Sequence, residues 1–187
     1  DTVLAADAAS RLADFARAPA SGNHVRRDQH HLALCMLGYW NATRNDLDAA
    51  RSASERVAAD LAREDNGFAK RNGTACLAML SATIAATTGD RDAKRSVAAL
   101  DSILLSARTP PHVILEAATI VAGRLHAALG DTARALVAAR RREYLTGDPL
   151  FLATLLGDEA RYARAMGDSA GAARALAQLA ILRERRP

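Results

Sequence analysis

Apolar residues recur along this chain with the 3.6-residue rhythm of helices that bury one face. Leu32, Cys35, Met36 and Tyr39 fall at i, i+3, i+4 and i+7. Leu115, Thr119, Val121, Ala122, Leu125 and Leu129 keep a similar rhythm, as do Ala172, Ala173, Leu176, Leu179, Ala180 and Leu182. No segment shows the period-two alternation of a half-buried strand. The run Val113-Ile114-Leu115 sits in a longer helical pattern that opens at Pro110-Pro111, where proline suits a first helical turn. Asp148-Pro149 is a second start of that kind, with Asp148 as the cap. The pattern predicts an all-α fold of about nine helices, near 2–18, 25–43, 46–64, 68–88, 90–107, 110–129, 131–145, 149–166 and 168–185. Gly67 and Gly73 each offer a start for the fourth.

The punctuation between these helices repeats. Asn45-Asp46, Gly89-Asp90, Gly130-Asp131 and Gly167-Asp168 follow one another at steps of 44, 41 and 37 residues. Glycine, or less often asparagine, takes the left-handed conformation that ends a helix and satisfies its last carbonyls. The aspartate beside it caps the next helix by accepting from its free N–H groups, at the positive end of the dipole. A stop and a start fused into two residues leave room only for a tight antiparallel hairpin of helices.

Around these turns the chain resembles the tetratricopeptide repeat family. That family sets a small residue in the first helix of each pair, a Gly-Asp turn, and an alanine five residues after the glycine. Here Leu37-Gly38 precedes Asn45-Asp46 and Ala50 follows; Gly123 precedes Gly130-Asp131 and Ala135 follows; Ala160 precedes Gly167-Asp168 and Ala172 follows. Ala82 precedes Gly89-Asp90, but there the alanine comes one residue early, at Ala93, and Lys94 holds its place. The repeats also exceed the family's usual period of about 34 residues, most of its large aromatics are missing, and no proline closes each unit. The resemblance covers residues 25–187. It implies a right-handed superhelical stack of antiparallel helix pairs, at about 25–65, 66–108, 109–147 and 148–187, in a single domain over 1–187 with 1–24 as leading helix and linker. The stretch Arg134–Arg185 also resembles helical-repeat tails of multidomain bacterial signalling proteins, including serine/threonine kinases and transcriptional regulators. Asp1-Thr2 mirrors Asp131-Thr132, as though the chain opened on the second helix of a pair, so a fragment of a longer protein is expected.

Composition narrows the function classes. Half of the residues are hydrophobic, much of that alanine, and aromatics are only 4%. Such a chain favours closely approaching helices over layers with bulky cores. No run of 18 uncharged apolar residues would span a membrane, and no signal-peptide pattern opens the chain. The net charge of +4 comes mostly from scattered arginines, without the basic stripe, motif or interleaved aromatics of a nucleic-acid binder. Arg140-Arg141-Arg142 and Arg183-Glu184-Arg185-Arg186 close helices, where they complement the dipole. Cys35 and Cys76 lie in apolar helical stretches, where cysteine packs as a small hydrophobe; a disulfide requires their helices to be neighbours. Compartment therefore stays open between the cytoplasm and the far side of a membrane anchor.

No nucleophile elbow, phosphate-cradling loop or zinc motif appears, so neither an enzyme nor a cofactor is expected. His30-His31 beside Asp28 looks like a metal site, but adjacent helical residues point about 100 degrees apart and two ligands on one face make no site. Surface or boundary histidines are expected there. His112 should lie in the first turn of its helix, and His126 should pack. The family's first helices line a concave groove that holds a peptide or protein segment. Tyr39, Thr83, Arg124 and Arg161 each stand six residues before a turn and are the expected groove residues, with Arg164 one turn beyond. Cys35, Met79 and Ile120, four residues earlier, would line it beside them. Arginine forks read carboxylates. The expectation is a non-catalytic interaction, scaffold or sensory module whose partner is a protein or peptide, an acidic one by this chemistry, or another domain of the same protein. The alternative is a ligand-binding or DNA-binding all-helical regulator, against which the first 60 residues lack a compact helix-turn-helix.

Overall fold

A computed structural model describes residues 2–17, 24–106, 112–141 and 149–184. These residues are all-α. The helices are α1 (Thr2–Arg17), α2 (His24–Thr43), α3 (Leu47–Leu61), α4 (Gly67–Thr87), α5 (Ala93–Ser106), α6 (Val113–Ala128), α7 (Thr132–Ala139), α8 (Pro149–Ala165) and α9 (Ser169–Glu184). No helix among the described residues is long and apolar enough to cross a membrane. The chain divides into two compact units, Asp1–Ile103 and Leu104–Pro187.

All four predicted turns close the same way. Asn45, Gly89, Gly130 and Gly167 have φ of 64°, 66°, 83° and 77°. In each, the aspartate N–H reaches back to a carbonyl five residues earlier, on Asn41, Ala85, His126 and Ala163, at 2.8–2.9 Å. The residue before it donates to the carbonyl three back, the paired bonds of a Schellman motif. Asp46, Asp131 and Asp168 then accept from Ala49, Arg134 and Gly171 at 3.2, 3.0 and 2.8 Å, and their helices begin at the next residue. The second pair departs where its sequence does. Asp90 accepts from Asp92 N–H instead, and the first i→i+4 bond runs from Ser96 to the Asp92 carbonyl. Helix α5 thus starts two residues late, which brings Ala93 rather than residue 94 into the buried position.

In the first unit α1 packs on α2, and α2, α3 and α4 pack on one another. Leu34, Val57, Met79 and Leu80 are fully enclosed. Close approach is set by glycine: a Cβ at Gly38 would stand 2.9 Å from Leu80 Cδ2 and 3.1 Å from Ala53 Cβ. Helix α4 starts at Gly67 under an Asn66 cap that accepts from Phe68 and Ala69 N–H, so Gly73 is interior, fitted against Leu61. A disulfide joins Cys35 of α2 to Cys76 of α4, with Cα atoms 5.7 Å apart. The helices are neighbours, and the condition for the bond is met.

In the second unit α6 pairs with α7 and α8 with α9, while α8 also packs on α6 and α7. A Cβ at Gly123 would lie 3.4 Å from both the Ala135 carbonyl and Ala138 Cβ, so the small residue does admit the partner helix. Leu136 and Ala139 of α7 enclose Tyr162 and Ala163 of α8 together with Ala135 and Ala172. Leu156 and Ala160 of α8 meet Ala175 and Leu179 of α9. Helix α7 ends at Ala139, six residues short of the expected 145, and Arg140 is its C-cap. Arg140 does more than meet the dipole: it donates to Glu159 at 3.0 Å and to Asp168 at 2.8 Å, tying the end of α7 to α8 and to the α8–α9 turn. A Cβ at Gly171 would meet the Asp168 carboxylate and the Arg140 guanidinium, and these side-chain ends would have to shift to admit it. His112 is the cap of α6 rather than part of its first turn; its Nδ1 accepts from Ile114 N–H. Pro110-Pro111, Arg142 and Asp148 lie outside the described residues.

Candidate functional site

The residues six positions before the turns share a register but not a setting. Tyr39 on α2 is half-buried. Thr83 on α4 is buried, because its hydroxyl donates to the Met79 carbonyl at 2.8 Å and so enters the core without an unpaired group. Cys35, Met79 and Ile120 do not line an open surface as expected. All three are enclosed, Cys35 by its disulfide partner and the others by the close helix contacts that alanine and glycine allow.

The arginines come together. Arg124 projects from α6 and its Nε donates to Asp158 Oδ2 on α8 at 3.0 Å. Arg161, three residues after Asp158, donates from Nη2 to Asp158 Oδ1 at 2.8 Å and to the Tyr162 hydroxyl at 2.8 Å. Its guanidinium carbon stands 4.7 Å from the Tyr162 ring centroid. Asp158 is only 8% exposed, whereas both arginines are exposed. Two guanidiniums therefore share one sunken carboxylate. Burial, and then the Asp158 charge, hold the Tyr162 hydroxyl above its usual pKa, so it stays a neutral phenol. Arg164 is exposed one turn further along α8. The sequence placed Arg124 and Arg161 at equivalent positions. It did not reveal Asp158, whose role depends on the α6–α8 contact.

The first unit holds a second polar cluster where the sequence reading is corrected. His30 and His31 are not at the surface; they are 4% and 1% exposed. Helix α2 packs against α1 on one side and α3 and α4 on the other, so a wide arc of it is covered. His30 Nε2 lies 3.2 Å from the Ala16 carbonyl, and His31 Nε2 lies 3.7 Å from Asp60 Oδ2. Asn72 donates to Asp28 at 3.4 Å, and Arg27 pairs with buried Glu64 at 3.5 Å. Burial pushes the His31 pKa down, against the opposing pull of Asp60, and the ring is neutral in the folded chain. Among the described residues no group of three or more metal-ligating side chains is assembled. His126 is buried, as its packing role requires. Comparison with protein-family models, curated proteins and solved structures finds no match to this chain.

Proposed function

We propose that this chain is a non-catalytic, tetratricopeptide-like helical-repeat module that binds an acidic segment of a protein partner, in trans or from the same full-length protein. The observation that carries this reading is the convergence of Arg124 and Arg161, from two successive first helices, on the single buried carboxylate of Asp158. A second carboxylate arriving from solvent meets a cationic surface already held in place, so little side-chain entropy is lost on binding. Arg164 extends that surface along α8. The four turns of one geometry and the close approach at Gly123 support the repeat architecture. A groove of this kind positions a partner.

The test is an array of peptides with free C-termini, graded from neutral to acidic, probed with the parent chain and with Arg161→Gln/Arg164→Gln. Arg124 is retained in that variant because it keeps Asp158 compensated; stripping both partners from a buried carboxylate costs about 3–5 kcal/mol. Retention should rise with peptide acidity and fall at least about tenfold in the variant. Binding that ignores peptide charge, or that is equal in both proteins, overturns the proposal.

A further inference from the structure

We infer that the first unit carries a separate binding cleft for a guanidinium group, the side chain of arginine. The cleft, of about 430 Å³, opens between α3, α4 and the start of α5. Ile84 and Ala85 line it together with the polar side chains of Ser54, Glu55, Ser81 and Asp90.

Two repeats of the same chain differ at this place. Counted from the turns at Asn45 and Gly130, Arg51 and Ser54 of α3 are the counterparts of Leu136 and Ala139 of α7. Counted from Gly89 and Gly167, Ile84 and Ala85 correspond to Tyr162 and Ala163. In the second unit Tyr162 and Ala163 fill the seat made by Leu136 and Ala139, and the repeat is closed. In the first, a shorter isoleucine faces serine and arginine, and the late start of α5 withdraws its first turn. The seat is left as an open cleft.

The same alignment shows what fits in it. Arg140, Glu159 and Asp168 of the second unit correspond to Glu55, Ser81 and Asp90. There, the Arg140 guanidinium bonds both Glu159 and Asp168. Here the arginine is replaced by a carboxylate, Glu159 by a hydroxyl, and the aspartate is kept. One repeat holds its own guanidinium; the other presents acceptors and space. Among the described residues neither the Glu55 carboxylate nor the Ser54 and Ser81 hydroxyls have a hydrogen-bond partner. Asp90 accepts one backbone N–H, from Asp92. Arg51, the cation in the wall, is engaged by Asp48 at 3.2 Å. A planar guanidinium held by Ser81 and Asp90, the counterparts of the two Arg140 acceptors, takes the Arg140 place, with its stem on Ile84 and Ala85 and the Glu55 carboxylate beside it as counter-charge.

The experiment is an amide NMR titration of the whole chain with two guanidinium probes, agmatine for a free ligand and N-acetyl-arginine amide for an arginine within a peptide. N-butylammonium is the comparison. At least one guanidinium probe should give saturable shifts at Ser54, Ser81, Thr88 and Ser96, and whichever binds more tightly identifies the source. Binding should weaken at least about tenfold in Glu55→Gln and vanish in Glu55→Arg, whose own guanidinium would take the place that Arg140 takes in the other repeat. Failure of both probes to saturate, equal binding of n-butylammonium, or unchanged binding in Glu55→Arg overturns the inference. None of these outcomes depends on the arginine surface of α6 and α8.

Discussion

Breaking the Cys35–Cys76 bond should cost the protein about as much as any single change can. The two cysteines are 41 residues apart in sequence, so the bond closes a loop that spans nearly half of α2, all of α3 and about half of α4. In the chain-entropy treatment a loop of that length removes about 13 cal/mol/K from the unfolded ensemble, or about 4 kcal/mol at 25 °C. Both side chains are buried on the α2–α4 contact, so the folded helices are in bonding distance without rearrangement. The assay is guanidinium unfolding followed by circular dichroism, on the oxidised protein, on protein reduced in denaturant and refolded under reductant, and on Cys35→Ala/Cys76→Ala. With a guanidinium m-value of about 3 kcal/mol/M, the reduced midpoint should fall by about 1.3 M. Hydrogen exchange should place the lost protection in α2 to α4. Thiol titration in denaturant should count no thiol before reduction and two after. Equal midpoints with and without reductant, or reactive thiols in the unreduced protein, would show that no stabilising Cys35–Cys76 bond is present.

Other outcomes follow from the turns and the buried histidine. Gly130→Ala forces a Cβ into the left-handed region at φ 83° and should cost about 1–2 kcal/mol in thermal unfolding. Asn45→Gly, at φ 64°, should change stability by less than about 0.5 kcal/mol. Asp131→Ala removes a cap and should cost about 1 kcal/mol. Asp168→Ala should cost more in the same measurement, because it also releases Arg140, whose hydrogen bond is the main reason the Asp168 carboxyl sits below its usual pKa. Burial lowers the His31 pKa, so folding favours its neutral form. Stability from this group is complete above about pH 6.5 and should fall as pH drops below it, by at most about 1.4 kcal/mol per pH unit. Denaturation at pH 7 and pH 5 should show that dependence shrinking in His31→Gln, and an unchanged dependence would assign it elsewhere.

The turns were legible because they are local. A left-handed residue and a capping aspartate declare themselves in two positions, although the fifth helix, read as starting at 90, begins at Ala93. Elements that depend on distant parts of the chain were less visible. His30 and His31 read as boundary residues because nothing near them in sequence tells that α2 is covered from two sides. Cys35 and Cys76 each read as packing, and only the α2–α4 contact makes them a pair. Arg124 and Arg161 were found by register, but Asp158, which organises them, is an unremarked acid until α6 and α8 touch. Helix α7 reads as longer than it is, since Arg140 is a good helix former and its two carboxylate partners, which hold it at the helix end, come 19 and 28 residues later.

The central claim is that the Arg124–Arg161 surface receives a carboxylate from a partner. The most direct measurement follows the arginine Nε–Hε signals by NMR as an acidic peptide is titrated in, with its neutral amide analogue as the comparison. Saturable shifts of Arg161 and Arg164 are expected with the acidic peptide only, with a smaller shift of Arg124 as its bond to Asp158 adjusts, and binding should weaken as salt is raised. Signals that stay fixed, or that move equally with the neutral analogue, would contradict it.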